Sequence, residues 1–195
     1  MELSDFNRRR RRWLASATAS IGGAGLVLTA IAFIRSMGPS ERAKAAGAPV
    51  EVDPRAIAPG SLATAEWRGR PVWILHRSPD MLARLQGLDA QLADPLSRQS
   101  VQPPWAANPV RSLRPAFLVV TGICTHLGCV PVFRPETAPA DLGAHWPGGF
   151  YCPCHGSRFD LAGRVFKNVP APRNLEVPPH AYLGNGLLRI GEGSA

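Results

Sequence analysis

Two short stretches decide the reading of this chain: Cys124-Thr125-His126-Leu127-Gly128-Cys129 and Cys152-Pro153-Cys154-His155-Gly156-Ser157. Together they use all four cysteines of a 195-residue sequence. Each sets a thiol and an imidazole close together. Such clustering points to a metal centre before it points to a disulfide scaffold. One Cys and one His from each stretch make a site of two thiolates and two imidazoles. Spacing alone leaves open whether Cys152 or Cys154 is the second thiolate.

Two centres take that donor set. Zinc binds two Cys and two His in a tetrahedron. A [2Fe–2S] cluster can take two thiolates on one iron and two imidazoles on the other. Zinc-finger spacing ends in two histidines a few residues apart on a helix, whereas here each histidine stays with its own cysteine. Both stretches are rich in Gly and Pro, as loops wrapped around a cluster are. The pattern favours the cluster and keeps zinc as the alternative.

Upstream, Arg8 to Arg12 form an unbroken arginine run, followed from Trp13 to Ile34 by a segment without charge. As a helix that segment is roughly 33 Å long, enough for a hydrocarbon core of about 30 Å. A cleaved signal usually has a shorter apolar stretch. The expectation is a retained single-pass anchor over 13–36, with residues 1–12 held in the cytoplasm by the positive-inside rule. Ala43-Lys44-Ala45 offers a cleavage-like site, so removal of the segment is the competing reading. Arg10-Arg11-Arg12-Trp13-Leu14 also resembles a twin-arginine export signal, a route that moves folded proteins. Small residues four apart (Ala15, Ala19 and Gly23; Ser16, Ser20 and Ala24) form stripes against which another helix could pack closely. The net charge of +8 owes much to the arginine run, which sits beside an apolar segment rather than on a groove-binding element, so nucleic-acid binding is not expected.

Residues 37–49 are small, polar and broken by Gly and Pro, which predicts a flexible hinge linker with an extended reach of roughly 40 Å. From residue 50 to 195 the pattern becomes short β-like runs between turn signals. The best strands are 62–67, 72–76, 117–121 and 187–190. Residues 79–93 carry Leu82, Leu85, Leu88 and Leu92 at helical spacing, and 95–115 reads as a long loop. His76, His145 and His180 are read as surface or loop residues. Trp67, Trp73, Trp105 and Trp146 are read as packing residues.

The two stretches resemble those of the Rieske iron–sulfur proteins of bacterial cytochrome bc-type complexes. The agreement extends from the arginine-led anchor through Glu66-Trp-Arg-Gly-Arg-Pro-Val-Trp-Ile-Leu-His-Arg77 to the proline-rich run Val169-Pro-Ala-Pro-Arg-Asn-Leu-Glu-Val-Pro-Pro179. The resemblance implies an all-β domain of antiparallel sheets with a cluster-binding loop subdomain at about 122–172 and a short helix insertion. One N-terminal transmembrane helix completes the fold. It implies one [2Fe–2S] cluster per subunit, with Cys124, His126, Cys152 and His155 as ligands. Cys129 and Cys154 become a disulfide, and Ser157 a hydrogen-bond donor to cluster sulfur.

The function implied is that of the electron-transfer subunit of quinol:cytochrome c oxidoreductase. His155 would contact quinol and accept its proton, and Leu127 and Gly128 would form the docking tip. The partners implied are cytochrome b and a c-type cytochrome, in a complex expected to be dimeric. The expected place is the inner membrane, with the outer domain in the periplasm. The second cysteine pair argues against Rieske oxygenases and ferredoxins, whose boxes generally lack it. A periplasmic oxidase subunit and a zinc-stabilised binding module are the remaining rivals. Two positions depart from the family pattern. Phe159 stands where many members have a tyrosine that hydrogen-bonds a ligand sulfur. Val169, preceded by Asn168, stands where glycine often precedes Pro170, so the loop of Pro170 and Pro172, expected to shield the cluster, is expected to differ in shape.

Overall fold

The computed structural model describes residues 2–192. Met1 of the expected cytoplasmic segment and residues 193–195 of the expected outer domain lie outside that range. The chain divides into two compact units, residues 1–44 and 45–195. In the first, α1 (Glu2–Ser36) is one continuous helix. Its stretch Phe6–Ser36 is long and apolar enough to cross a membrane. Ile21, Leu26, Val27, Leu28, Phe33 and Ile34 are all exposed on it.

The stretch read as a hinge linker contains one short helix, α2 (Glu41–Ala46). Ser40 starts it, its hydroxyl accepting the Ala43 N–H at 3.2 Å. The Gly and Pro that suggested irregular chain lie outside the helix, where Pro39 and Gly47 bound it.

The second unit holds three antiparallel three-stranded sheets. β1 (Val50–Val52), β8 (His180–Tyr182) and β9 (Leu188–Ile190) form one, in the order β1-β9-β8. β2 (Leu62–Trp67), β3 (Arg70–His76) and β4 (Phe117–Thr121) form the second. β5 (Val132–Arg134), β6 (Gly149–Cys152) and β7 (Ser157–Asp160) form the third. This is the antiparallel architecture expected.

The middle sheet explains its own sequence. Trp73, Leu75, Leu118 and Val120 enter one core, while Val72, Ile74 and Val119 enter the other. Side chains alternate across a strand, so a sheet covered on both faces needs a continuous apolar run. Val-Trp-Ile-Leu on β3 and Leu-Val-Val on β4 are such runs. The first core also contains Phe150, Phe159, Cys124 and Cys152, so the cysteine loops rest directly on it. The second is closed by Ile57, Trp67, Leu188 and Ile190.

The helix expected over 79–93 is much shorter. α3 (Pro79–Ala83) begins at Ser78, whose hydroxyl accepts the Met81 N–H at 3.2 Å. It ends at Arg84, and Gly87 then takes φ 75°, a backbone turn incompatible with a continuing helix. Leu85, Leu88 and Leu92 are nevertheless buried. The leucine spacing therefore reports burial, met here by a turn and the 3-10 segment Asp89–Gln91.

The long loop 95–115 is held by buried arginines. Arg77 donates to the carbonyls of Pro115 and Val110 and to the Ser112 hydroxyl, at 2.7 to 2.9 Å. Arg111 donates to the Leu175 carbonyl at 2.7 Å. Burial lowers both guanidinium pKa values to about 10, opposed by the Asp160 carboxylate, so both stay charged at neutral pH. Arg164 is equally buried and pairs with Asp160 at 2.8 Å.

Candidate metal centre

The second cysteine stretch is the connection between β6 and β7. Cys152 ends β6, Ser157 begins β7, and the two are paired across the ladder. The first stretch lies between β4 and β5. Both make the same local turn. Gly128 N–H donates to the Cys124 carbonyl at 3.1 Å, and Gly156 N–H donates to the Cys152 carbonyl at 2.9 Å. Gly128 and Gly156 take φ 85° and 76°, in the left-handed region that favours glycine. Glycine four residues after each of these cysteines is therefore what folds each thiol inward.

Cys129 and Cys154 are joined by a disulfide, with their Cα atoms 6.8 Å apart. Cys124 N–H also donates to the Cys129 carbonyl at 2.7 Å, which folds the first loop back on itself. Cys124 and Cys152 are free thiols, each 2% exposed. Burial pushes the Cys152 thiol up from its ordinary range, and the neighbouring Cys124 thiol adds to this. Hydrogen bonds from the Cys154 and His155 backbone act the other way, favouring the thiolate. The His126 and His155 rings face each other edge to face, centroids 4.8 Å apart. His155 is exposed and His126 half-buried, so the imidazoles lie at the solvent side of the buried thiols.

Beyond the histidines lies an apolar rim. Leu127 is 71% exposed, Val130 56% and Val132 48%. Gly128 is exposed beside Leu127. Beneath the thiols, Ser157 is fully buried, and its hydroxyl oxygen accepts the Ala171 N–H at 3.1 Å. That contact leaves the hydroxyl proton available for donation elsewhere. Thr125 donates its hydroxyl to the Arg173 carbonyl at 2.6 Å. The proline loop is thus clipped once to each cysteine stretch. Where glycine often precedes Pro170 this chain has Val169, and the residue before it, Asn168, takes φ 58°. Asparagine tolerates that conformation better than most residues. Val169 then packs against the core.

Three features of this region were not read from the sequence. Asn174 is buried and ties together three segments. It accepts the Val165 N–H at 2.8 Å and donates to the Asp94 carbonyl and Ser97 hydroxyl. Asp160 is buried and fixes the turn after β7 through the N–H groups of Ala162 and Arg164. His180, expected at the surface, is 1% exposed. Its Nδ1 lies 2.9 Å from the Pro178 carbonyl, and Trp105 packs edge-on against its ring. Its alternation with Ala181 and Tyr182 on a strand was the available signal, but β8 is only three residues long. The tryptophans behave as expected: Trp67, Trp73 and Trp146 are buried, and Trp105 packs on His180.

The donor set fits a [2Fe–2S] cluster with mixed ligation. Cys124 and Cys152 are neighbouring buried thiols, backbone N–H groups of Cys154 and His155 hydrogen-bond the Cys152 sulfur, and His126 and His155 form a facing ring pair on the same two loops. The two remaining cysteines are already bonded to each other, so they are not competing ligands.

Comparison with known proteins agrees. Residues 96–179 match the family model described as the Rieske [2Fe-2S] domain. The chain is 55% identical over 192 residues to the ubiquinol-cytochrome c reductase iron-sulfur subunit of Allochromatium vinosum, covering 98% of this chain and 93% of that protein. It is 40% identical over 187 residues to the subunit of the same name from Blastochloris viridis, covering 95% and 94%. Against that of Bradyrhizobium diazoefficiens it is 38% identical over 183 residues, covering 93% and 94%. The cofactor of this domain is a [2Fe–2S] cluster. From its anchor-length helix to its paired cysteine loops, the chain belongs to the family of ubiquinol–cytochrome c reductase iron–sulfur subunits.

Proposed function

We propose that this chain is the subunit of a quinol:cytochrome c oxidoreductase that takes electrons from quinol. Cys124 and Cys152 would hold one iron of a single cluster, and His126 and His155 the other. Bound there, the cluster supplies one-electron redox chemistry between quinol and a c-type cytochrome, with imidazole ligation favouring the reduced state. The single observation that carries the reading is the exposed His155 ring, paired edge to face with His126, on loops that bury Cys124 and Cys152 and expose Leu127.

Quinol oxidation releases protons as well as electrons. His155 can hydrogen-bond a quinol hydroxyl with the ring nitrogen not used for metal, and take up the proton there. Leu127 and Gly128 exclude water around that contact and dock against the apolar surface of cytochrome b. Ser157 donates its free hydroxyl proton toward cluster sulfur. α1 serves as a single-pass anchor in the inner membrane, with the arginines inside and the second unit in the periplasm. The linker lets that unit visit both cytochromes, and the complex is a dimer. The composition of residues 37–49 supports the linker, and the positive-inside rule supports the orientation.

The test is substitution in the intact complex. Cys124→Ser, His126→Ala, Cys152→Ser and His155→Ala should each abolish the reduced-state EPR signal. Leu127→Asp should keep the signal and slow quinol:cytochrome c turnover. Full signal in any of the first four variants removes that residue from the ligand set. Unchanged turnover in Leu127→Asp removes the docking tip.

A further inference from the structure

We infer that a cationic cleft beside the second cysteine loop is the seat for an acidic segment of the c-type cytochrome. The cleft holds about 680 Å³ and lies between the β5–β6 connection, residues 90–91 and the run that follows β7. Trp146 and Phe166 line it as a tilted ring pair, centroids 6.1 Å apart. Arg158, Lys167 and His145 line it too, and among the described residues no aspartate or glutamate does. Gly156 also lines it, one residue beyond His155.

The two cations are not neutralised from within the protein. Arg158 is half-buried, and among the described residues it has no acidic partner. Lys167 is exposed and gives one N–H to the Ala90 carbonyl at 2.9 Å, a contact that cancels no charge. The acids that adjoin lining residues in the sequence are already engaged elsewhere. Asp89, before Ala90, pairs with Arg164 at 3.0 Å, and Asp141, before Leu142, pairs with Arg134 at 2.8 Å. A cleft with charges of one sign and low-dielectric walls focuses its field and draws the opposite charge. A guanidinium fork matches a carboxylate in shape as well as in sign.

The neighbouring loop decides the occupant. Gly156 belongs to the turn that carries His155, so a partner seated in the cleft lies beside the exposed edge of the cluster site. On the functional reading above, on which this inference rests, exposed Leu127 meets cytochrome b through an apolar contact. The c-type cytochrome is the partner that must be met, oriented and released at each turnover. Charge complementarity suits that task, since it adds more to encounter rate and register than to lasting affinity. Aspartates and glutamates on the cytochrome are the matching chemistry. Seated there, they hold its surface against the loop from which the electron leaves.

The sequence supplies its own probe. Its two lysines are Lys44 and Lys167, so Lys167 is the one lysine of residues 45–195. The complete, cluster-loaded complex is treated with a water-soluble carbodiimide, which joins amines to carboxylates in contact, then digested and mapped by mass spectrometry. An amide between Lys167 and an acidic residue of the c-type subunit is expected. A Lys167 link to cytochrome b alone, to acids of this chain alone, or no Lys167 link at all overturns the assignment. The second measurement is stopped-flow electron transfer from the reduced cluster to the c-type haem. In Arg158→Gln/Lys167→Gln, with the EPR signal kept, that rate should fall about tenfold at low ionic strength and lose most of its salt dependence. Arg98→Gln removes an exposed charge outside the cleft and should leave the rate unchanged. An unchanged rate in the double variant, or an equal loss in Arg98→Gln, overturns the cleft. The cross-link needs no variant and decides alone where the double variant fails to load. A wild-type complex without quinol:cytochrome c turnover sinks the functional reading instead, and is recognised before either measurement.

Discussion

The buried hydroxyl of Ser157 accepts the backbone N–H of Ala171 at 3.1 Å, and this one bond joins the second cysteine loop to the proline loop. Removing it strands a buried N–H, which costs about 1 to 3 kcal/mol. Ser157→Ala should therefore lower unfolding stability by that amount, measured by denaturant titration of the loaded protein. On the proposed role of its hydroxyl as a donor to cluster sulfur, the potential should fall as well. A fall in stability with no change in potential would leave Ser157 a purely structural clasp.

Phe159 sits fully buried on β7, opposite Phe150. It keeps the packing of the tyrosine found in many relatives and lacks the donor. A hydrogen bond to sulfur stabilises the more negative, reduced state. A difference of about 1 kcal/mol corresponds to roughly 40 mV for one electron. Phe159→Tyr should raise the midpoint by that order in side-by-side redox titrations. An unchanged or lower midpoint would show that another group already supplies the donor.

His180 links stability to pH. Burial lowers its pKa from 6.5 to about 4, only partly offset by the Pro178 carbonyl. Trp105 and Tyr182 flank it, and the Arg114 guanidinium lies 3.9 Å over the Tyr182 ring, so the surroundings supply no anion to stabilise an imidazolium. The unfolded chain binds the proton first. Stability should thus fall as pH drops from about 6.5 toward 4, by about 3 kcal/mol in all. His180→Phe should flatten that slope in chemical unfolding measured across this range. Parallel pH curves for the two proteins would assign the acid sensitivity to other groups.

Gly122 opens the first cysteine stretch, its N–H bonded to the Pro71 carbonyl at 2.8 Å. A methyl group there would lie within 2.8 Å of the Trp73 ring, which is stacked on Phe150 at 5.1 Å. Neither ring has room to retreat. Gly122→Ala should destabilise the outer domain by about 1 to 3 kcal/mol, seen as a lower melting temperature of the loaded protein. No change in melting temperature would mean that Trp73 moves freely, contrary to its place in the core.

The sequence by itself determined what local chemistry and periodicity can encode. The residue types around positions 124–129 and 152–157 specify a mixed thiolate–imidazole centre, because donor identity is carried by side chains that lie close in the chain. The uncharged segment after Arg12 specifies a span-length helix, since length and lack of charge suffice. The apolar runs of β3 and β4 specify a twice-covered sheet. What the tertiary structure alone decided depends on distant partners. Leu85, Leu88 and Leu92 are buried as their spacing suggests, but Gly87 and the surrounding loops, not periodicity, set where α3 ends. Arg77, Arg111 and Arg164 look like surface charges in the sequence, and they are buried because carbonyls remote in the chain, those of Val110, Leu175 and Leu85 respectively, satisfy them. The same holds for His180, and for the sulfurs of Cys129, Cys152 and Cys154, which lie within 4.8 Å of one another. Burial and pairing are properties of what folds back onto a residue, and sequence neighbours do not carry that information.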